Sequence, residues 1–171
     1  FEESESQILR NLRSLGLDLG QWAKKGLLRF HTSRPSGYGL EMHLVVIHKL
    51  VNEFQPQAVI IDPITTFLGS GTAAQAEAMV MRLVDFLKSK RITALFTSLI
   101  HGKAVEESDV GISSLIDTWL FLRSIELGGE RNRGLYVLKS RGMAHSNQIR
   151  EFRLTDHGIE LTDVYVGPEG F

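Results

Sequence analysis

Cysteine is absent from the 171 residues, which excludes a disulfide framework and thiolate metal ligands and fits a reducing compartment. A surplus of charge is lacking too. Lysines and arginines number 19 against 20 acids, a formal net charge of −1, so no global field draws the chain to nucleic acid or to an anionic membrane. Any phosphate recognition must rest on local clusters. No apolar run reaches the length of a membrane span, and the N-terminus carries no basic-then-apolar signal. These absences together predict a cytoplasmic protein. No internal repeat or low-complexity linker divides the chain, and a composition 43% hydrophobic and 23% charged is enough for one globular domain with a real core.

What is present alternates between helical and strand patterns. Ser4 to Leu15 reads as a helix with Ile8, Leu12 and Leu15 on one face, stopped by Gly16. A short helix from Asp18 through Lys25 follows, and Leu27 to Ser33 has strand character. Arg34 to Gly37 reads as a loop, and Leu40, Leu44, Ile47, Val51 and Phe54 recur at helical spacing up to Pro56. The β-branched run Val59 to Ile61 predicts a strand buried on both faces. Gly69 to Ala74 is small and flexible, Ala76 to Leu87 is helical, and Ile92 to Thr97 is a second buried strand. Strand, helix, strand alternation of this kind predicts parallel strands with helical crossovers. A polar loop is expected over Ile100 to Asp109. The last third then predicts three strands, Asp117 to Ile125, Gly134 to Lys139 and Gln148 to Thr155, with turns at Gly128-Gly129 and Asp156-His157-Gly158. The expected fold class is α/β, a mostly parallel body finished by antiparallel strands.

Asp62 directly follows the first core strand. Ligands of open α/β sheets bind at the carboxyl ends of the strands, where a carboxylate can hold Mg²⁺ through water beside a nucleotide phosphate. The competing reading is an aspartate that turns the chain before Pro63. Lys139 and Arg141 are two apart at a strand end, which sets both cations on one face about 7 Å apart, with His145 just beyond and Arg150 and Arg153 downstream. Such a pair can grip a polyphosphate, although a solvated basic strand end is the commoner meaning. Glu2 and Glu3 precede a helix N-terminus, where carboxylates favour the dipole; one projecting into a ligand crevice could instead serve as general base. Ser113 and Ser114 sit where serines usually cap or turn. His43 and His48, five apart, miss the spacing of paired ligands and read as structural, and His31 and His101 form no constellation. Trp22 and Trp119 read as core or interface aromatics.

Several of these stretches fall into one pattern. Phe1-Glu2-Glu3-Ser4 with Ile8-Leu9-Arg10-Asn11, Gly39-Leu40-Glu41, Ile61-Asp62-Pro63-Ile64, Ile112 to Thr118, Leu138 to Gly142 and Ile149 to Phe152, in that order, resemble the KaiC family of RecA-type ATPases, most closely its second, autokinase-type domain. The resemblance runs over nearly the whole chain. It implies a RecA-like P-loop NTPase fold of three α/β/α layers, ATP and Mg²⁺ as cofactors, and Glu2 and Glu3 as the catalytic pair. Asp62 resembles the Walker B aspartate that holds Mg²⁺ through water. Lys139, Arg141 and His145 resemble the cluster that reaches the nucleotide of the neighbouring subunit. Ser113 and Ser114 fall where the circadian clock members of that family carry a phosphorylated Ser-Thr pair, the second position here being serine.

One part of the pattern is missing. The loop G-x-x-x-x-G-K-[ST], whose amides and lysine cradle phosphates, should precede the glutamate pair, yet the sequence opens on Phe1-Glu2-Glu3 without an initiator methionine. The expectation is a single RecA-like domain over residues 1–171 that lacks the P-loop strand and Walker A loop, a fragment of a larger protein and inactive by itself. Loss of a central strand would expose sheet edges and favour a rearranged dimer or other oligomer, whereas the parent would be a hexameric ring with signalling partners. The other function class in view is a non-catalytic module for oligomerisation or partner docking. DNA binding is disfavoured by the balanced charge and by the lack of a basic, aromatic-interleaved loop.

Overall fold

A computed structural model describes residues 3–33, 39–99, 115–127 and 130–164. The chain separates into two compact units, one made of residues 1–4 and 32–115, the other of residues 5–31 and 116–171.

The first unit is built on two helices and a parallel strand pair. Helix α3, Leu40–Phe54, comes after helices α1, Glu5–Ser14, and α2, Gly20–Lys24, in the chain, and its periodic apolar positions bury Leu40, His43, Leu44 and Val51. Gln55 ends it in the left-handed region (φ 49°), its amide bonded to Val51 O, and the chain then enters strand β1, Ala58–Ile61. A 3-10 helix, Ile64–Ser70, and helix α4, Ala73–Ser89, lead to strand β2, Thr93–Phe96. β1 and β2 pair in parallel from Ala58 opposite Thr93 to Ile61 opposite Phe96. Helix α4 supplies most of the core: Ala76, Met79, Val80, Leu83, Val84 and Leu87 repeat at three- and four-residue steps and are all buried, joined by Ile61, Ile64 and Phe67. Arg82 of α4 reaches Glu41 of α3 in a bidentate pair, Nη1 to Oε2 at 3.1 Å and Nη2 to Oε1 at 2.5 Å.

The second unit combines two short helices with an antiparallel sheet. Helix α1, Glu5–Ser14, and helix α2, Gly20–Lys24, match the helical expectations, and Ile8, Leu12 and Leu15 are half-buried. Strands β3, Thr118–Leu127, β4, Glu130–Ser140, β5, Arg150–Thr155, and β6, Gly158–Val164, form a four-stranded sheet in that order. Phe121 and Phe152 are its buried aromatics, and Phe121 tilts against Tyr136 at 5.2 Å between centroids. The α/β class holds, with parallel strands followed by antiparallel ones.

Four expectations differ in detail. Leu27 to Ser33 forms no strand, because the amides of Leu27 and Leu28 both donate to Trp22 O and close α2 instead of joining a ladder. β1 and β2 are not buried on both faces: Ile61 lies in the core while Ile60 and Leu95, paired across the ladder, are 67% and 51% exposed. The segment from Gly69 to Ala74 is ordered, since the 3-10 helix runs through Ser70 and Thr72 caps α4 in a capping box with Gln75. A fourth antiparallel strand, β6, follows the turn at Asp156-His157, where Thr155 pairs with Gly158. The expected loops at 34–37 and 100–109 and the Gly128-Gly129 turn lie outside the described residues, although Leu127 pairs with Glu130 across that turn.

Candidate active site

Asp62 stands one residue beyond β1, at the carboxyl edge of the parallel pair. The ladder continues past the strands: Thr97 N donates to Ile61 O (3.1 Å) and Ile64 N donates to Thr97 O (2.8 Å). These two bonds bracket Asp62 with the backbone of Thr97. The Thr97 hydroxyl then donates to Asp62 Oδ1. Asp62 is exposed, so its carboxylate is held by a neighbour yet open to solvent. The sequence marks Thr97 only as the end of a strand and gives its hydroxyl no role. The available signal was that Ile61 and Phe96, each the last apolar residue of its strand, are both followed by a polar residue, which a parallel register sets side by side.

The donor chemistry here suits a hydrated Mg²⁺ ion. Magnesium keeps several of its waters and is usually held by one or two carboxylates plus substrate phosphates. Among the described residues, no three His, Asp or Glu side chains gather in a cage. A lone, oriented carboxylate is therefore the fitting arrangement.

Lys139, Arg141 and His145 belong to the second unit. Lys139 pairs with Trp119, and the register slips by one beyond it, since Leu120 faces Val137. This bulge leaves Leu138 unpaired, and such insertions bend a strand and re-aim its side chains. β4 ends at Ser140, so the strand period that set Lys139 and Arg141 on one face stops between them. The Arg141 amide still donates to Asp117 O at 2.8 Å, which anchors the backbone before the turn at Gly142, where φ is +71°. Arg141 and His145 are exposed, and His145 Nδ1 lies 3.4 Å from Met143 O. Sequence spacing could not reveal the bulge, because no glycine or proline marks it.

Glu3 is exposed and falls with the first unit, whereas Glu2, Ser113 and Ser114 lie outside the described residues. His43 and His48 are structural, as their spacing predicts. His43 is buried with its ring 5.6 Å from Phe67, and His48 stacks on Phe86 at 3.6 Å. A cleft of about 200 Å³ between Val51, Asn52, Gln55, Pro56, Lys90 and Ile92 sits at the amino ends of β1 and β2, the edge opposite Asp62.

The family model described as "ATPase: KaiC" matches residues 1–164. The chain belongs to the KaiC ATPase family. Among curated KaiC relatives, it is 49% identical to circadian clock protein KaiC2 of Synechocystis sp. over 169 residues, 97% of this chain and 30% of that protein. KaiC3 of the same organism is 34% identical over 165 residues, 94% of this chain and 32% of the relative. The circadian clock oscillator protein KaiC of Synechococcus elongatus is 34% identical over 168 residues, 96% and 32% of the two chains. The KaiC match covers Asp62, Lys139, Arg141 and His145, and the chain spans about a third of the length of these relatives. Among the described residues, no helix is long and apolar enough to cross a membrane.

Proposed function

We propose that the protein carrying this chain binds ATP with Mg²⁺ and hydrolyses it in the cytoplasm, at a site completed between copies of itself, and that it acts as a serine autokinase in a circadian or related signalling system. The supporting observation is Asp62 at the carboxyl edge of β1, oriented by Thr97 and open to solvent, in a chain matched by the KaiC ATPase family over residues 1–164.

In this reading, Asp62 would hold hydrated Mg²⁺, and the ion would supply positive charge to offset the negative charge developing on the phosphate. Glu2 or Glu3 takes the proton of the attacking water or serine hydroxyl. The terminal phosphoryl group passes to that oxygen as its bond to ADP breaks. Lys139, Arg141 and His145 of a neighbouring copy stabilise the transferring group. Ser113 and Ser114 are the acceptors of the autokinase step. The main phosphate cradle is a glycine-rich loop outside residues 1–171, so the isolated chain is expected to be inactive. Arrangement of the whole protein as a hexameric ring, with a rearranged dimer or other oligomer for the chain alone, belongs to the same proposal.

A second reading, a non-catalytic module for oligomerisation or partner docking, draws on exposed apolar positions in both sheets, among them Ile60, Leu95, Leu122 and Leu161. ATP turnover by the full-length protein separates the two, and one substitution tests the site. Arg141→Ala in the full-length protein should abolish most ATP hydrolysis while leaving Mg-ATP affinity within about twofold, because a cation that serves the transition state contributes on the order of 10³ or more in rate. Turnover unchanged in that variant would contradict the assignment of Arg141, whereas a full-length parent that hydrolyses no ATP would favour the docking module.

A further inference from the structure

We propose that Thr97 is a positioning residue for the metal-holding carboxylate, fixing the orientation in which Asp62 takes hydrated Mg²⁺. The inference rests on the reading of Asp62 given above.

Ile61 opposes Phe96 in the parallel pair, so the next residues on each strand, Asp62 and Thr97, come side by side at the carboxyl edge. Two backbone bonds then fix Thr97 against the segment that carries the aspartate: its amide donates to Ile61 O at 3.1 Å, and its carbonyl accepts from Ile64 N at 2.8 Å. The donors and acceptors lie on both sides of Asp62 in sequence. Threonine is β-branched and stiff at χ1, so its hydroxyl arrives on a rigid stem rather than a mobile one. That hydroxyl donates to Asp62 Oδ1. A carboxylate fixed at one oxygen has its torsion set, and the placement of the second oxygen follows.

Orientation counts for more here than it would in a multidentate cage. Among the described residues, no cluster of three His, Asp or Glu side chains shares the work of holding a cation. One exposed aspartate free to rotate would present its oxygens to hydrated Mg²⁺ in many poses, of which few suit a nucleotide phosphate beside it. Groups that hydrogen-bond to a metal's ligands commonly change metal affinity by about 10–100-fold when removed. For a carboxylate acting through water, the lower end of that range is the reasonable expectation.

The test uses the full-length protein with Mn²⁺ as a paramagnetic stand-in for Mg²⁺. Free Mn²⁺ is counted by electron paramagnetic resonance during titration in the presence of a non-hydrolysable ATP analogue. Thr97→Val keeps the shape and removes the hydroxyl, Thr97→Ala removes it without filling the space, Thr97→Ser restores it, and Asp62→Asn reports on the carboxylate. Thermal melts accompany each variant, so that Ala stands in if Val fails to fold. Removing the hydroxyl should weaken Mn²⁺ binding about tenfold, with Ser within about twofold of the parent and nucleotide affinity in chelator unchanged. Wild-type Mn²⁺ affinity in folded Val or Ala variants, alongside a clear loss in Asp62→Asn, would overturn the role of Thr97 and leave that of Asp62 standing. Serine as weak as valine would also overturn it, since the methyl group and not the hydroxyl would then matter. Wild-type affinity in Asp62→Asn would overturn the reading of Asp62, and the Thr97 inference with it.

Discussion

Gly16 carries two constraints at one residue. Its φ is +78°, a region that costs an L side chain about 1–2 kcal/mol, and a Cβ there would run into the carbonyl oxygen of Asp156. Close approach of the α1 segment to the β5–β6 turn thus depends on the missing side chain. Gly16→Ala should cost about 2–4 kcal/mol, strain and overpacking together, read as a lowered urea midpoint at unchanged slope. A loss under about 0.5 kcal/mol would mean that the helix and the turn part easily. The sequence marked Gly16 as a helix stop but gave no hint of Asp156, 140 positions further on. Asp62 was legible for a different reason: an acid directly after a β-branched run falls at a strand's carboxyl end whatever packs around it. Thr97 was not, because its partner is set by pairing between strands. His48 shows the same limit. Its spacing ruled out a paired metal site, yet its stacking on Phe86 and its buried Nε2 without a hydrogen-bond partner depend on α4, which the spacing within α3 cannot report.

Among the elements, helices are more legible in the sequence than strands. α3 and α4 have apolar residues at steps of three and four over four turns or more, a pattern that only a helix satisfies. The capping box at Thr72 has a sequence signal, since Thr-x-x-Gln ahead of an apolar run announces a helix start. Here the Thr72 side chain accepts from Gln75 N at 3.3 Å, and Gln75 Oε1 accepts from Thr72 N at 2.9 Å. Thr72→Ala should destabilise the first unit by about 1 kcal/mol, and Thr72→Ser should recover most of it. Thermal midpoints of the three forms check this, and an alanine variant as stable as the parent would show the cap to be redundant. Leu27 to Ser33 failed as a strand because strand propensity is a statement about neighbours, and its first amides were already committed to α2. The Arg82–Glu41 pair ties α3 to α4. Its hydrogen bond raises Arg82 from an already high value; a raised group stabilises the fold below its unfolded pKa and loses that contribution only above it, so the arginine introduces no pH dependence near neutrality.

At the scale of the whole molecule, the residues expected to work together are divided between two compact units. Asp62 belongs to one, and Lys139, Arg141 and His145 to the other. In the proposed function the cationic cluster serves the nucleotide of a neighbouring copy. Assembly leaves no repeat in the chain, so that expectation comes from the resemblance to the KaiC family and not from periodicity. The parallel pair leaves Ile60 and Leu95 exposed, and the antiparallel sheet leaves Leu120, Leu122, Ile159 and Leu161 so, which is more apolar surface than strands buried on both faces would present. Composition promised a core, and the helices supply it, but composition does not say which faces remain uncovered.

The central claim is that Asp62 is the carboxylate through which an ATPase of this family holds its metal. Calorimetric titration of ATP into the full-length protein, with Mg²⁺ and then with chelator, against the same pair of titrations on Asp62→Asn, tests it most directly. The account predicts that Mg²⁺ tightens ATP binding by the parent and that Asp62→Asn loses most of this increment, with affinity in chelator unchanged. An Asp62→Asn protein that keeps the full Mg²⁺ increment would contradict the account, and the aspartate would then be a residue that turns the chain before Pro63.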